Sequence, residues 1–152
     1  ATSWAGMWKT SERGNQRSAF SSMSIAIYPI TAMGKPRMTQ ADKWKTRAVV
    51  LRYRAFKDEC RLRKVHVPDS GAHITFILPM PKSWSITKRE EFCGTGHQSR
   101  PDKDNLEKAL NDAVFGEDSH IWDNRITKRW GIKGKIIIES DALEVQERIN
   151  YG

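Results

Sequence analysis

Apolar and polar positions change period several times along the chain, and each change marks an element. Ser24 to Ile30 (S-I-A-I-Y-P-I) has the β-branched run of a strand. Thr31 to Thr39 is broken by Gly34 and Pro36 and reads as a loop. Thr39 then opens a helical pattern that extends to about Val65. Thr39 and Asp42 have the spacing of a capping box, and Trp44, Ala48, Leu51, Ala55 and Leu62 form the expected inward stripe. Pro68 to Gly71 make a turn. Ala72 to Met80 (A-H-I-T-F-I-L-P-M) reads as a second strand, apolar enough for a central position, and Pro79 and Pro81 end it. Lys82 to Pro101 is a long loop with a helical turn or two expected over Ser83 to Phe92. An insertion of this length inside a compact domain is often functional.

A second helix is expected from Asn105 to about Phe115, stopped by Gly116. At about 100° per residue, Leu106, Ala109, Leu110, Ala113 and Val114 share an apolar stripe. From Trp122 to Trp130 the residues alternate again. Gly131 to Gly134 reads as a turn, and Lys135 to Glu139 (K-I-I-I-E) as the last strand, so the two strands read as a β-hairpin. The order predicts an α+β fold: a β-α-β-α-β-β two-layer domain, with a mixed sheet and two main helices on one face. Residues 23–140 form the expected domain. Residues 1–22 show no sustained period and read as an N-terminal extension, for which a non-native origin is one explanation. Residues 141–152 read as a polar C-terminal tail.

The second helix is also where the chemistry gathers. Its approach is Arg100-Pro101-Asp102-Lys103-Asp104-Asn105. Asp102 and Asp104 are two residues apart, so in an extended segment both carboxylates point to one side. Asp104 is a good N-cap, with Glu107 at the capping-box spacing. Asp104, Lys108 and Asp112 fall opposite the apolar stripe. A solvated helix with ordinary i, i+4 ion pairs would show the same spacing. The paired aspartates argue for more, because close like charges repel unless a cation or hydrogen bond holds them.

Charge sharpens this picture. The 152 residues carry a net charge of +8, with a pI near 9.7. That excess suits a polyanion such as nucleic acid. The first helix adds a dense basic surface, although a solvated amphipathic helix would look alike. An acidic cluster in a basic protein fits a metal site placed where phosphate is already attracted. No apolar run approaches a membrane span. Two cysteines, Cys60 and Cys93, make no disulfide framework, so a reducing compartment is expected. The spacing of Cys60, His66, Cys93 and His97 matches no standard zinc motif.

P-D-K-D-N-L-E-K-A-L-N-D-A followed by E-D-S-H-I-W-D resembles the RusA family of Holliday-junction resolvases, especially its phage-borne members. The likeness includes G-K-P-R-M-T at Gly34 to Thr39, P-M-P-K-S-W-S at Pro79 to Ser85, and K-R-W-G at Lys128 to Gly131, and it covers about Met23 to Glu139. The family pattern D-x-D-N-x-x-K falls on Asp102, Asp104, Asn105 and Lys108. Its D-D-x-x-[IV] falls on Glu117, Asp118 and Ile121, with glutamate replacing the usual first aspartate.

The resemblance implies a homodimeric endodeoxyribonuclease that cuts four-way DNA junctions by paired symmetric nicks in recombination and repair. Asp102, Asp104 and Asp118 would hold Mg²⁺, with Mn²⁺ able to substitute, and Lys108 would face the phosphate. Asn105, Glu117 and Asp123 would support the site. Hard oxygen ligands suit Mg²⁺, which can activate water and stabilise a scissile phosphate. Lys35, Arg37, Lys82, Trp84, Lys88, Arg89 and Arg100 are the expected DNA contacts, with Trp84 the candidate for base stacking. The setting would be the cytoplasm of a bacterial or phage-infected cell. Two alternatives stand beside this reading: a non-catalytic basic DNA-binding module, and a nuclease for other branched DNA.

Overall fold

The computed structural model describes residues 24–43 and 47–140. The elements are β1 (Ser24–Tyr28), a 3₁₀ turn (Gln40–Lys43), α1 (Ala48–Leu62), β2 (Ala72–Pro79), α2 (Ile86–Phe92), α3 (Lys103–Val114), β3 (Asn124–Gly131) and β4 (Lys135–Ser140). The strands form one four-stranded sheet in the order β1-β4-β2-β3. β4 runs antiparallel to β1 and β2, whereas β2 and β3 are parallel. The fold is thus α+β with a mixed sheet, as expected. The long loop supplies a third, short helix, α2, within the span where helical turns were expected.

β2 is central, as its apolar density predicts. Ala72, Ile74, Phe76 and Leu78 project from one face into the core, where they join Tyr53, Phe56 and Cys60 of α1 and Leu106, Ala109 and Leu110 of α3. Large side chains buried this fully contribute about 1.5–3 kcal/mol each relative to exposure. Core packing therefore fixes α3, and with it the charged face of α3.

Two expectations fail. The last two strands are not a hairpin, because β2 lies between them. Pro79 is opposite Gly131 of β3, and Ile77 is opposite both Arg129 of β3 and Lys135 of β4. The short link passes round the end of β2. Strand alternation and a turn signal show that two strands are close in sequence, but not which strand each pairs with. A central strand such as β2 has two edges to satisfy, and β3 and β4 take one each.

The first helix is also not continuous from Thr39. It breaks into the 3₁₀ turn and α1, with Arg47 as an extended N-cap at φ −72° and ψ 153°. Asp42 still answers Thr39, accepting from its backbone N at 2.7 Å and from its Oγ1 at 3.0 Å. The restart at Arg47 resets the helical phase. The inward residues of α1 are Val50, Tyr53, Phe56 and Cys60, while Leu51 and Leu62 face solvent. Trp44 lies outside the described residues.

Candidate active site

α3 begins two residues earlier than its capping-box spacing suggests. Asp102, not Asp104, is the N-cap, with φ −71° and ψ 152°, and its carbonyl accepts the Leu106 N–H at 3.1 Å. Either aspartate could serve as a cap, and the chain enters the helix at Lys103 directly after the extended residue. The same-side argument for Asp102 and Asp104 therefore fails, since Asp104 is already helical. Its charge sits in the first turn, where the helix N-terminus favours an anion. The apolar stripe is as expected: Leu106, Ala109, Leu110 and Ala113 are buried, and Val114 packs against the core.

Lys128 fixes the approach to α3. From β3 its Nζ donates to the carbonyls of Ser99, at 2.7 Å, and Pro101, at 2.8 Å. Both carbonyls lie just before Asp102. The sequence places Lys128 on a strand but gives no sign of this clamp.

Asp118 reaches α3 by a folded-back loop. Its carbonyl accepts the Ile121 N–H at 3.1 Å, Ile121 packs against the core, and the Trp122 N–H donates to Asp69 O at 3.1 Å. Asp118 Oδ2 then lies 3.2 Å from Lys108 Nζ, which is also 3.4 Å from Asp112 Oδ1. The hydrogen bond that Lys108 donates to Asp118, and then the charge of Asp112, raise the Lys108 pKa above its ordinary value. Burial pushes the Asp112 carboxyl up, but Lys35, at 2.6 Å, and Lys108 outweigh it, so its net shift is downward. Tyr53, whose hydroxyl is 3.4 Å from the same carboxylate, is pushed up to about 12 by burial and then by Asp112.

Asp104, Glu107, Lys108, Asn111, Asp118 and Ile121 line one pocket of about 250 Å³. Asn124 at the start of β3 donates to Glu107 Oε1 at 2.7 Å. Asn111 is buried, and its Oδ1 has no partner among the described residues. Glu107 and Asn111 are pocket residues that the sequence reading missed, and their i, i+3 and i, i+7 spacing from Asp104 was the available signal. Asp102 instead lines a neighbouring groove with Arg100 and Asn105.

Among the described residues, no three His, Cys, Asp or Glu side chains converge tightly enough to form a ready-made metal cage. The donor chemistry nevertheless fits a divalent ion of the Mg²⁺ type. Such an ion takes one or two carboxylates and completes its shell with water and phosphate oxygens. Asp104 and Asp118 supply two hard donors in one pocket.

The other expected site residues are spread around this centre. Lys35 is engaged with Asp112. Arg37 is exposed, and its carbonyl accepts from Arg47 at 2.8 Å. Arg47 also grips Asp42 through two nitrogens, and with the Thr39 backbone N–H it holds that carboxyl far below the usual range. Lys82 and Lys88 are exposed. Lys88 lies 4.4 Å over the Trp84 ring, which also packs on Trp130 at 4.8 Å and Phe92 at 5.4 Å. Arg89 donates to Pro81 O at 3.1 Å. Glu117 accepts from Ser119, and Asp123 accepts the Gly71 N–H at 3.1 Å. Of the other side-chain candidates, Cys60 sits in the core and His97 stacks 3.8 Å from Trp130.

The family model for endodeoxyribonuclease RusA matches residues 28–140. The chain belongs to the RusA endodeoxyribonuclease family. The match runs from the last residue of β1 through β4, and so includes both acidic segments and Lys128. No curated protein matches the chain. RusA enzymes are Holliday-junction endonucleases, so the chain is an enzyme whose substrate is branched DNA. No described helix is long and apolar enough to cross a membrane.

Proposed function

We propose that this RusA-family enzyme is a Mg²⁺-dependent homodimer that resolves four-way junctions by paired symmetric nicks, in DNA recombination and repair. Mn²⁺ is expected to substitute. The observation that carries the reading is the 3.2 Å contact between Lys108 Nζ and Asp118 Oδ2, beside Asp104 in one pocket. It supports a centre built from both acidic segments of the family pattern.

Asp104 and Asp118, with Asp102 at the start of α3, are the proposed holders of the metal. When bound, Mg²⁺ supplies an activated water and charge stabilisation at phosphorus. The chain's own residues do the positioning. Lys108 keeps its ammonium form between two carboxylates and offers it to a non-bridging phosphate oxygen as negative charge develops there. Asn105 and Asp123 brace the two segments, and Glu117 stands next to Asp118. Arg37, Lys82, Lys88 and Arg100 are proposed to contact the DNA backbone, with Lys35, Trp84 and Arg89 shaping that surface.

Two-fold symmetry of the substrate favours a dimer, since two sites must face two strands. The edge strand β1 exposes Ile25 and Ile27 and offers an apolar surface for a second copy. Both cysteines are free thiols, which supports a reducing cytoplasm, in a bacterial or phage-infected cell.

The test is cleavage of a four-way junction by purified protein with Mg²⁺ or with chelator. Paired nicks are expected only with the metal. Asp104→Asn and Asp118→Asn should abolish them while retaining junction binding, because each removes negative charge near phosphate. Undiminished nicking in chelator, or in both variants, overturns the assignment. Preferential cutting of flaps would move the substrate to another branched DNA.

A further inference from the structure

Next to the carboxylate pocket lies a wider groove, about 930 Å³, between the loop after β1, α1 and the turn before α3. Its volume lies within the range of small-molecule sites, roughly 300–1,000 Å³. Ile30, Met33 and Phe56 give it an apolar floor, and Ala55 forms part of one wall. Arg52 and Arg100 stand on its rim and form no ion pair with another described residue. The carboxylates that also line it are Glu59, which pairs with Arg63, and Asp102.

This combination has a specific chemical match. A nucleobase presents apolar faces and polar edges, and its flanking phosphates carry negative charge. We propose that the groove receives one unpaired nucleotide of the DNA substrate, its base against the apolar floor and its phosphates on Arg52 and Arg100. Asn105, on the same rim, offers an amide to the edge of the base. Gly34 helps to shape this end of the groove. A Cβ there would fall 2.5 Å from Asn105 Nδ2 and 3.2 Å from Pro101 Cβ. Asp102 borders the groove, so a nucleotide seated there would present its phosphate at the start of α3. Unpaired bases cost least to extract at damaged, mismatched or branched positions. The groove would thus favour DNA with a disrupted stack over plain duplex. The inference extends the nuclease reading to its substrate contacts, but the groove itself can be tested without cleavage.

The probe is a branched DNA carrying one unpaired 2-aminopurine nucleotide, compared with the fully paired duplex, both in chelator. Ala55 is exposed, so Ala55→Phe fills the groove without disturbing the core. Ala55→Phe is expected to weaken binding of the branched probe about tenfold or more and to abolish its fluorescence change, with duplex binding altered less than about twofold. Arg52→Ala should act in the same direction. An equal loss on both DNAs, or none on either, from a folded Ala55→Phe variant overturns the proposal. Mg²⁺-dependent nicking by the unmodified protein is scored separately. If nicking is absent but the selective loss persists, the nuclease reading fails and the groove stands.

Discussion

Lys108 Nζ lies 3.2 Å from Asp118 Oδ2, so a residue in the middle of α3 is tied to the loop that follows the helix. The ammonium is half exposed and is positioned by acids rather than consumed in the fold. Lys108→Met removes the charge but keeps most of the side-chain bulk. It is expected to slow junction nicking by about 10²–10³-fold, the usual cost of losing one donor at a developing charge. Junction affinity should fall far less. Single-turnover cleavage beside a binding titration measures both, and equal losses in the two would make Lys108 a mere binding contact.

Lys128 acts at one remove. Its two bonds to Ser99 O and Pro101 O secure the turn that presents Asp102. Misplacement of a reacting group by about 1 Å can cost 10²-fold in rate. Lys128→Met should therefore reduce nicking by about tenfold or more, with KM changed little and kcat carrying the loss. Lys128→Arg should recover part of it, which a simple loss of fold would not allow.

Gly134 sits where the β3–β4 link passes the chain of β1's loop. A Cβ there would be 2.6 Å from Thr31 Cβ and 2.7 Å from Thr31 Cα. The second atom is backbone, so relief requires the main chain to move. Gly134→Ala is expected to cost about 1–3 kcal/mol, the usual range for overpacking. Chemical denaturation reads this directly. An unchanged midpoint would mean that the link yields freely.

What the sequence made legible follows from what each signal encodes. The apolar stripe of α3 was legible because Leu106, Ala109, Leu110 and Ala113 face one core surface at helical spacing. The centrality of β2 was legible because one face is packed in the core and both its edges are paired, which favours apolar density. The hairpin was misread because periodicity is local and strand partnership is not. The face of α1 was misread because a break at Arg47 resets the phase, and no glycine or proline marks that break. At the candidate site, helical spacing placed Asp104 and Lys108 on one outward face, and both line the same pocket. The approach of Asp118 depends on Ile121 and Trp122 anchoring a loop, which only the family resemblance anticipated. The Lys128 clamp joins residues far apart in sequence and left no local trace.

His97 makes stability depend on pH. Burial first, then Lys128, lowers its pKa below the ordinary 6.5, so the fold favours the neutral imidazole. The unfolded chain binds the proton more readily. Stability therefore falls as pH drops through 6.5 and continues to fall until the lowered folded value is passed. His97→Phe keeps an aromatic ring on Trp130, 3.8 Å away in the parent protein, and removes the proton site. Melting temperatures measured between neutral and mildly acidic pH should decline less steeply in the variant. Equal slopes would show that other groups dominate this window.

The charge state of Lys108 gives the most direct test of the carboxylate arrangement. Asp118 contributes most to the raised pKa and Asp112 next, whereas Asp42 lies on a different cluster with Arg47. A raised lysine pKa means that the folded state favours the ammonium. This contribution is fully present below the ordinary 10.5 and is lost as pH rises through the folded value. At neutral pH the lysine is therefore charged in the parent protein and in each variant, and only its titration moves. NMR of the Lys108 side chain should show the midpoint falling in Asp118→Asn and, by a smaller amount, in Asp112→Asn. Asp42→Asn should leave it in place. Coincident titration curves for all four proteins would mean that Asp118 does not stay beside Lys108 in solution, and the shared pocket would lose its basis.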